Sequence, residues 1–309
     1  ALRHTLAHGV GYVHEGMSGG DRALVERLYA SGALRAVVAT HSLAWGMTLR
    51  AYLVVVMDAA SFDGREHRYV DYPVTDILAM LGLAGRAGED DSGRAVLLCS
   101  ASRKDYFKRF LYEPLPVESH LDHVLADHLN AEVVTRTIEN KQDAVDYLTW
   151  TFMYRRLAAN PNYYHLQGVS HRHLSDHLSE LVESTIADLE ESQCLAVRGD
   201  DGMDLATLNL GMIAAYYYVK HTSIELFSSC LRPKTKIKGL LEILASASEY
   251  AELPLRAGED NAVRALASHL PLALPKDATF DDVHIKANVL LQAHFSRRAL
   301  GADLRADQA

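Results

Sequence analysis

Ala36-Val37-Val38-Ala39-Thr40-His41-Ser42-Leu43-Ala44-Trp45-Gly46-Met47-Thr48-Leu49-Arg50-Ala51-Tyr52-Leu53-Val54-Val55-Val56-Met57 decides how the first third of the chain is read. Two short apolar runs, 36–39 and 52–57, flank a polar stretch that holds a glycine. Runs of this kind are strands buried on both faces, as in a parallel sheet covered by helices. Upstream, Ala23 to Tyr29 is apolar with helical spacing. Downstream, Val74–Leu81 predicts a helix and Arg94-Ala95-Val96-Leu97-Leu98-Cys99 a further strand. Helix and strand alternate, so residues 1–115 are predicted to form an α/β domain around a parallel sheet. About four short strands are available where a doubly wound sheet has five or six, so the sheet is expected to be partial.

Tyr112-Glu113-Pro114-Leu115-Pro116 breaks the pattern, because prolines disfavour continuation of a helix. Residues 116–209 then read as helices followed by a hairpin. Leu174, Leu178, Leu181, Ile186 and Leu189 share one helical stripe, with Ser170 or Ser175 as its cap. Cys194–Val197 and Met203–Leu208 flank the turn Arg198-Gly199-Asp200-Asp201-Gly202 and predict two antiparallel strands. This is the build of a winged helix, and also of other small α+β domains. Residues 210–309 are predicted to be helical. Thr222 and Glu225 have capping-box spacing before a helix at Ile224–Leu231, and another is expected at Gly239–Tyr250. A loop follows, with Pro254 and Gly258 in it, and then a last helix from about Asp281 to Leu300. His284, Lys286, Arg297 and Arg298 are its residues able to reach a polar partner.

The net charge is −9, unevenly spread. Residues 116–209 carry 6 basic and 16 acidic side chains, whereas the flanking parts are close to neutral. An acidic middle opposes non-specific polyanion binding, which depends on neutralising phosphates. Any nucleic-acid contact must therefore come from a few placed residues. Cys99, Cys194 and Cys230 lie far apart and form no CxxC pair, which suggests a reducing compartment. No run of 18 uncharged apolar residues occurs. Ala1-Leu2-Arg3-His4 has neither an apolar leader nor a starting methionine, so the sequence is expected to begin inside a longer protein.

His173 and His177 have i,i+4 spacing, but no glutamate completes a His-Glu-x-x-His pattern, and we expect no metal site there. The G-x-x-x-x-G-K-[ST] loop is absent, as is any Asp-Glu-x-His run. The phosphate cradle and metal carboxylates of a P-loop ATPase are thus missing. Two stretches invite a functional reading. Thr40 places a hydroxyl at the carboxyl end of a strand, where ligands of parallel sheets bind, and Gly46 would permit close approach of backbone or phosphate. Ala79-Met80-Leu81-Gly82-Leu83-Ala84-Gly85-Arg86 sets one arginine just beyond a glycine-punctuated helix.

Taken together, these stretches resemble the carboxy-terminal cassette of the large spliceosomal DExH-box RNA helicases of superfamily two, which unwind base-paired small nuclear RNAs. Gly9–Ser18 matches an early motif of the second RecA-like domain, Thr40–Ala51 the fifth motif and Ala79–Arg86 the sixth. Tyr112–Leu121, Asn130–Val134 and Gln142–Leu148 match the winged helix and its entry, and residues from Leu210 onward the helical ratchet module. The resemblance implies three domains: a partial RecA-like domain at 1–115, a winged helix at 116–209 and the start of the ratchet at 210–309. Active relatives carry Q-x-x-G-R-x-G-R in the sixth motif. Here Ala79 replaces the glutamine and Leu83 the first arginine, leaving Arg86. Leucine has no charge with which to stabilise a transferring phosphoryl group.

The resemblance therefore implies an inactive or weak helicase cassette that acts as a protein-interaction and regulatory platform in pre-mRNA splicing. Arg86 would be the remnant catalytic arginine, facing a triphosphate across a cleft. Thr40, Gly46, Gly82 and Gly85 would face nucleotide or RNA, and His284, Arg297 and Arg298 would lie on the ratchet helix. ATP and Mg are expected in the complete cassette at most, and neither in this chain alone. Expected partners are spliceosomal proteins and the amino-terminal helicase cassette, with RNA contact weak or absent, in the nucleus. The alternative is part of an active ATP-dependent cassette that unwinds small nuclear RNA duplexes.

Overall fold

The computed structural model describes residues 1–64, 66–113, 117–256, 258–275 and 278–308. The Pro114-Leu115-Pro116 break lies outside them. Two compact units are present: Ala1–Leu115 together with Leu253–Ala309, and Pro116–Glu252.

In the first unit, α1 (Leu2–Ala7) leads to β1 (Val10–Val13), and α2 (Gly19–Ala30) returns the chain to β2 (Ala36–Ala39). Parallel strands need such a crossover. The two pair in parallel, Val10 with Ala36 through Val13 with Ala39. Ser18 caps α2 by accepting the Asp21 N–H at 3.2 Å. Gly11 allows the packing, because a Cβ there would lie 2.9 Å from Val25 Cγ1 and 3.0 Å from Leu34 Cδ1. Val13, Val25, Leu34 and Leu43 form the core beneath.

β3 (Leu53–Val56) pairs in parallel with β6 (Arg94–Leu97). Between them run the antiparallel hairpin β4 (Ala60–Asp63) and β5 (Arg68–Asp71), and α3 (Val74–Leu81); α4 (Lys104–Tyr112) follows β6. β2, β3 and β6 fall at the predicted places and β1 supplies a strand the sequence reading did not place, but the four do not form one covered sheet. β1–β2 and β3–β6 are separate two-stranded ladders, and Val38, Leu53, Val55 and Val96 are 58%, 49%, 47% and 41% exposed. An apolar run reports that a strand can be covered on both faces; coverage itself requires neighbouring layers, and a two-stranded ladder with a helix on it supplies fewer.

In the second unit, α5 (Leu125–Val134), α6 (Lys141–Thr149), α7 (Phe152–Ala159) and α8 (His171–Glu191) precede the antiparallel hairpin of β7 (Leu195–Arg198) and β8 (Asp204–Thr207). Gly199 and Gly202 take φ of 87° and 65° in its turn, where a side chain would be strained. Ser170, not Ser175, caps α8. Leu174, Leu178, Ile186 and Leu189 are buried, with Val182 in the place expected for the half-buried Leu181. Glu118 anchors the entry. It accepts two bonds from Arg156 (2.7 and 3.1 Å), one from Asn160 and one from the Tyr164 hydroxyl. Arg156 above all, then Asn160, holds its carboxyl down to about 2.

α9 (Asn209–Tyr217), α10 (His221–Cys230) and α11 (Ile237–Ala245) complete this unit, and Ala214 and Ile224 join the winged-helix core. α10 starts three residues before the predicted Ile224. Thr222 and Glu225 form no capping box; Asp127 of α5 instead accepts the His221 N–H and pairs with the His221 ring, both at 2.8 Å. The capping group comes from another helix, which local spacing cannot reveal. The predicted helix Gly239–Tyr250 is α11 followed by a 3-10 turn at Ser248–Glu252.

In residues 253–308, α12 (Glu259–Ala267) occupies part of what reads as loop. α13 (Val283–Phe295) stops short of the predicted Leu300, because Arg297 takes a φ of 51°. α14 (Ala302–Arg305) lies beyond it. Lys286, read as able to reach a polar partner, does so from a fully buried position, at the Pro254 carbonyl and Glu259.

Candidate nucleotide-facing surface

The sixth-motif stretch leaves α3 at Gly82 and bends through Gly85 and Gly88, with φ of 93° and 84°. Gly93 closes the bend from the other side: a Cβ on it would lie 2.7 Å from the Gly85 nitrogen. This folding returns Asp90 onto Arg86. The Arg86 guanidinium donates from Nε to Asp90 Oδ2 at 2.9 Å and from Nη2 to Oδ1 at 2.8 Å, and its backbone N–H donates to the same carboxylate at 3.1 Å. Nη1 pairs with Glu89 Oε2 at 2.8 Å. The hydrogen bonds to Asp90 raise the arginine's pKa, and those from Arg86 lower that of Asp90. One positive charge thus stands between two negative ones, on a side chain that is 43% exposed.

The fifth-motif stretch is stitched to this loop. The Ala51 N–H donates to the Leu83 carbonyl at 3.2 Å and the Gly85 N–H to the Ala51 carbonyl at 2.7 Å. Arg50 Nη1 donates to the Gly82 carbonyl at 3.1 Å, and the Tyr29 hydroxyl to the Arg50 carbonyl at 3.1 Å. Trp45 Nε1–H donates to Asp76 Oδ1 at 2.9 Å, tying the same stretch to α3. Gly82, Gly85 and Arg86 are therefore gathered around residues 50 and 51.

Thr40 sits further back, where β2 ends. Its N–H donates to the Val13 carbonyl and its hydroxyl lies 3.2 Å from that of Ser42. At Gly46 a Cβ would meet no described atom within 4 Å, so no close backbone approach explains that glycine within this chain. His284 and the pair Arg297 and Arg298 do not form one group either. The first opens α13, with its N–H on Asp282 Oδ1 at 2.8 Å, and the others follow the helix end. From His284 to Phe295, the last residue of α13, the helix rises about 16 Å. His173, tested above for metal, has its Nδ1 2.9 Å from the Ser170 hydroxyl. Among the described residues, no group of three or more His, Cys, Asp or Glu side chains is placed to hold a metal ion.

Sequence reading missed Asp90, Glu89 and Gly93. The available signal was carboxylates three and four positions after the arginine; it carries weight only once Gly85 and Gly88 are known to fold the segment back. Within the sixth-motif stretch the one guanidinium, Arg86, is engaged by two carboxylates, and the side chains of Ala79 and Leu83 add no donor.

A winged helix-turn-helix domain model matches residues 118–199, and a Sec63 Brl domain model matches 207–309. These matches, with the RecA-like ladders before them, define a segment of a helicase cassette. The chain is 60% identical over 306 residues to the U5 small nuclear ribonucleoprotein 200 kDa helicase of Homo sapiens, covering 99% of this chain and 14% of that protein. It is 58% identical over 307 residues to the DExH-box ATP-dependent RNA helicase DExH12 of Arabidopsis thaliana, and 50% over 317 residues to an activating signal cointegrator 1 complex subunit 3-like protein of Dictyostelium discoideum. In each case the chain spans 14% of the relative's length. The chain matches the carboxy-terminal region of the U5 small nuclear ribonucleoprotein 200 kDa helicases.

Proposed function

We propose that this chain is part of a carboxy-terminal helicase cassette that serves pre-mRNA splicing in the nucleus as a protein-interaction and regulatory platform, and that it does not hydrolyse ATP by itself. The observation that carries this reading is the state of Arg86. It is the sole cation left in the sixth motif, and Asp90 and Glu89 already engage it. Phosphoryl transfer needs charge aimed at the transferring group from two facing lobes. This chain supplies part of one, and Leu83 stands where active relatives carry a second arginine.

ATP and Mg belong, on this reading, to the complete cassette at most. There Arg86, with Gly82 and Gly85 beside it, would face the nucleotide, Thr40 and Gly46 the RNA side, and His284, Arg297 and Arg298 the ratchet helix. The spliceosomal proteins and the amino-terminal cassette are the partners. The acidic stretch 116–209 suits contacts with proteins better than tracking of phosphates. Nucleotide turnover by the pure chain and by the complete cassette tests the proposal. No release of phosphate above background is expected from the chain. Turnover that disappears in Arg86→Ala would overturn the reading. Affinity capture with the complete cassette, with and without this region, tests the platform role; loss of splicing factors on deletion is expected, and unchanged recovery counts against it.

A further inference from the structure

Residues 253–309 pack in the same compact unit as the RecA-like ladders, and a charge cluster buried around Lys286 reaches the ladders' part through Arg256 and Glu15, each 34% exposed. Lys286 of α13 is 0% exposed. Its Nζ donates to the Pro254 carbonyl and to Glu259 Oε2 at 2.9 Å, and pairs with Asp307 Oδ2 at 2.8 Å. An ammonium has three protons, and each has a partner here. A charge taken out of water is tolerated only when it is answered in this way. Arg256 extends the cluster. It donates to both oxygens of Asp307 at 2.7 and 3.0 Å and to Glu259 Oε1 at 3.3 Å, and its Nη2 reaches Glu15 Oε2 at 3.2 Å. Glu15 lies in the loop from β1 to α2, within the stretch Gly9–Ser18. A second contact is independent of charge: any Cβ on Gly64, in the turn after β4, would strike the Leu255 carbonyl. Backbone meets backbone there.

We infer that Arg256, Lys286, Glu259 and Asp307, with Glu15, form a mechanical joint that makes residues 253–309 one body with the β1–α2 loop. The Sec63-type match at 207–309 is then divided near residue 252. Its first part packs on the winged-helix core, and its last part is locked to the RecA-like segment. A displacement of the β1–α2 loop is carried to α13 through Glu15 and Arg256, and a displacement of α13 is carried back, since coupling between two sites is reciprocal. This joint stands whether or not the cassette turns over nucleotide.

Amide hydrogen exchange on the full chain tests it, with Glu15→Gln and Asp307→Asn. Glu15→Gln is expected to speed exchange in α12 and α13 at least threefold, and Asp307→Asn to do the same at residues 13–18, with α8 unchanged in both. Effects confined to the mutated side would show that the cluster merely fastens the segment around Asp307, and would overturn the joint. Should Asp307→Asn unfold the whole unit, Glu15→Gln and Arg256→Gln decide the matter. Their effects on exchange in α13 combine non-additively if the two side chains act as one link, and independent effects defeat the idea.

Discussion

Three glycines and two carboxylates set the surroundings of Arg86. Gly85 and Gly88 occupy the left-handed region and turn the segment back, and Gly93 lets the returning chain lie against the Gly85 nitrogen. Gly93→Ala would put a methyl group into backbone rather than into a movable side chain. We expect it to cost about 1–3 kcal/mol, the usual range for overpacking, read from the midpoint of urea unfolding. At Gly11 the nearest atoms are the side-chain ends of Val25 and Leu34, which can shift, so Gly11→Ala should cost less than Gly93→Ala in the same assay. That Arg86 is the one cation of the stretch Ala79–Arg86 was legible in the sequence. Its pairing with Asp90 was not, since i,i+4 neighbours meet by default on a helix and here the meeting is made by a loop. Gly46 was read as permitting close approach of backbone or phosphate, and of these the backbone approach is one that no described atom of this chain makes.

The elements differ in how much of them periodicity can reveal. The stripe on α8 was readable because four of its five expected positions are buried by local spacing alone. Leu178→Ala should therefore cost about 2–5 kcal/mol, and Leu181→Ala, at the half-buried edge, distinctly less, both from urea unfolding. α10 was misplaced because its first N–H, that of His221, is held by Asp127, 94 positions earlier, and by no side chain of its own first turn. α12 was missed because a proline and a glycine precede it and the loop signal prevailed. The Asp127–His221 contact also gives a dependence on pH. The bond from Asp127 raises the His221 pKa above its ordinary value. Burial pushes the Asp127 carboxyl up, but the bonds from the His221 ring and backbone outweigh it and leave it lowered. A raised histidine stabilises fully below its unfolded value, near 6.5, and loses that contribution as pH rises through its folded value. A lowered aspartate stabilises above about 3.9 and loses its contribution as pH falls through its folded value. The deficit of His221→Ala in melting temperature should thus be largest between about pH 4 and 6.5 and shrink toward pH 9. A deficit that grows with alkalinity would rule this linkage out.

Across the whole molecule, cooperativity should follow the compact units rather than order along the chain. Val25 lies in the core under β1 and β2, Val289 in the core of α12–α14, and Leu178 in the winged-helix core; each is at most 1% exposed. Sequence alone sets Val289 nearer to Leu178 than to Val25. The structure groups it with Val25, through the Arg256–Glu15 pair and the approach of Gly64 to Leu255. A two-unit chain need not unfold in a single step. In calorimetry, Val25→Ala and Val289→Ala should therefore lower the same transition, and Leu178→Ala a different one. The same grouping bears on fragments. Residues 1–115 alone would lose the partners of Glu15 and Gly64, Arg256 and Leu255, and keep the exposed apolar strands Leu53–Val56 and Arg94–Leu97, whose edges invite aggregation. We expect that fragment to lack a cooperative melt. A sharp melt of residues 1–115 by themselves would show that the ladders stand without residues 253–309, and that the shared unit is only an accident of proximity.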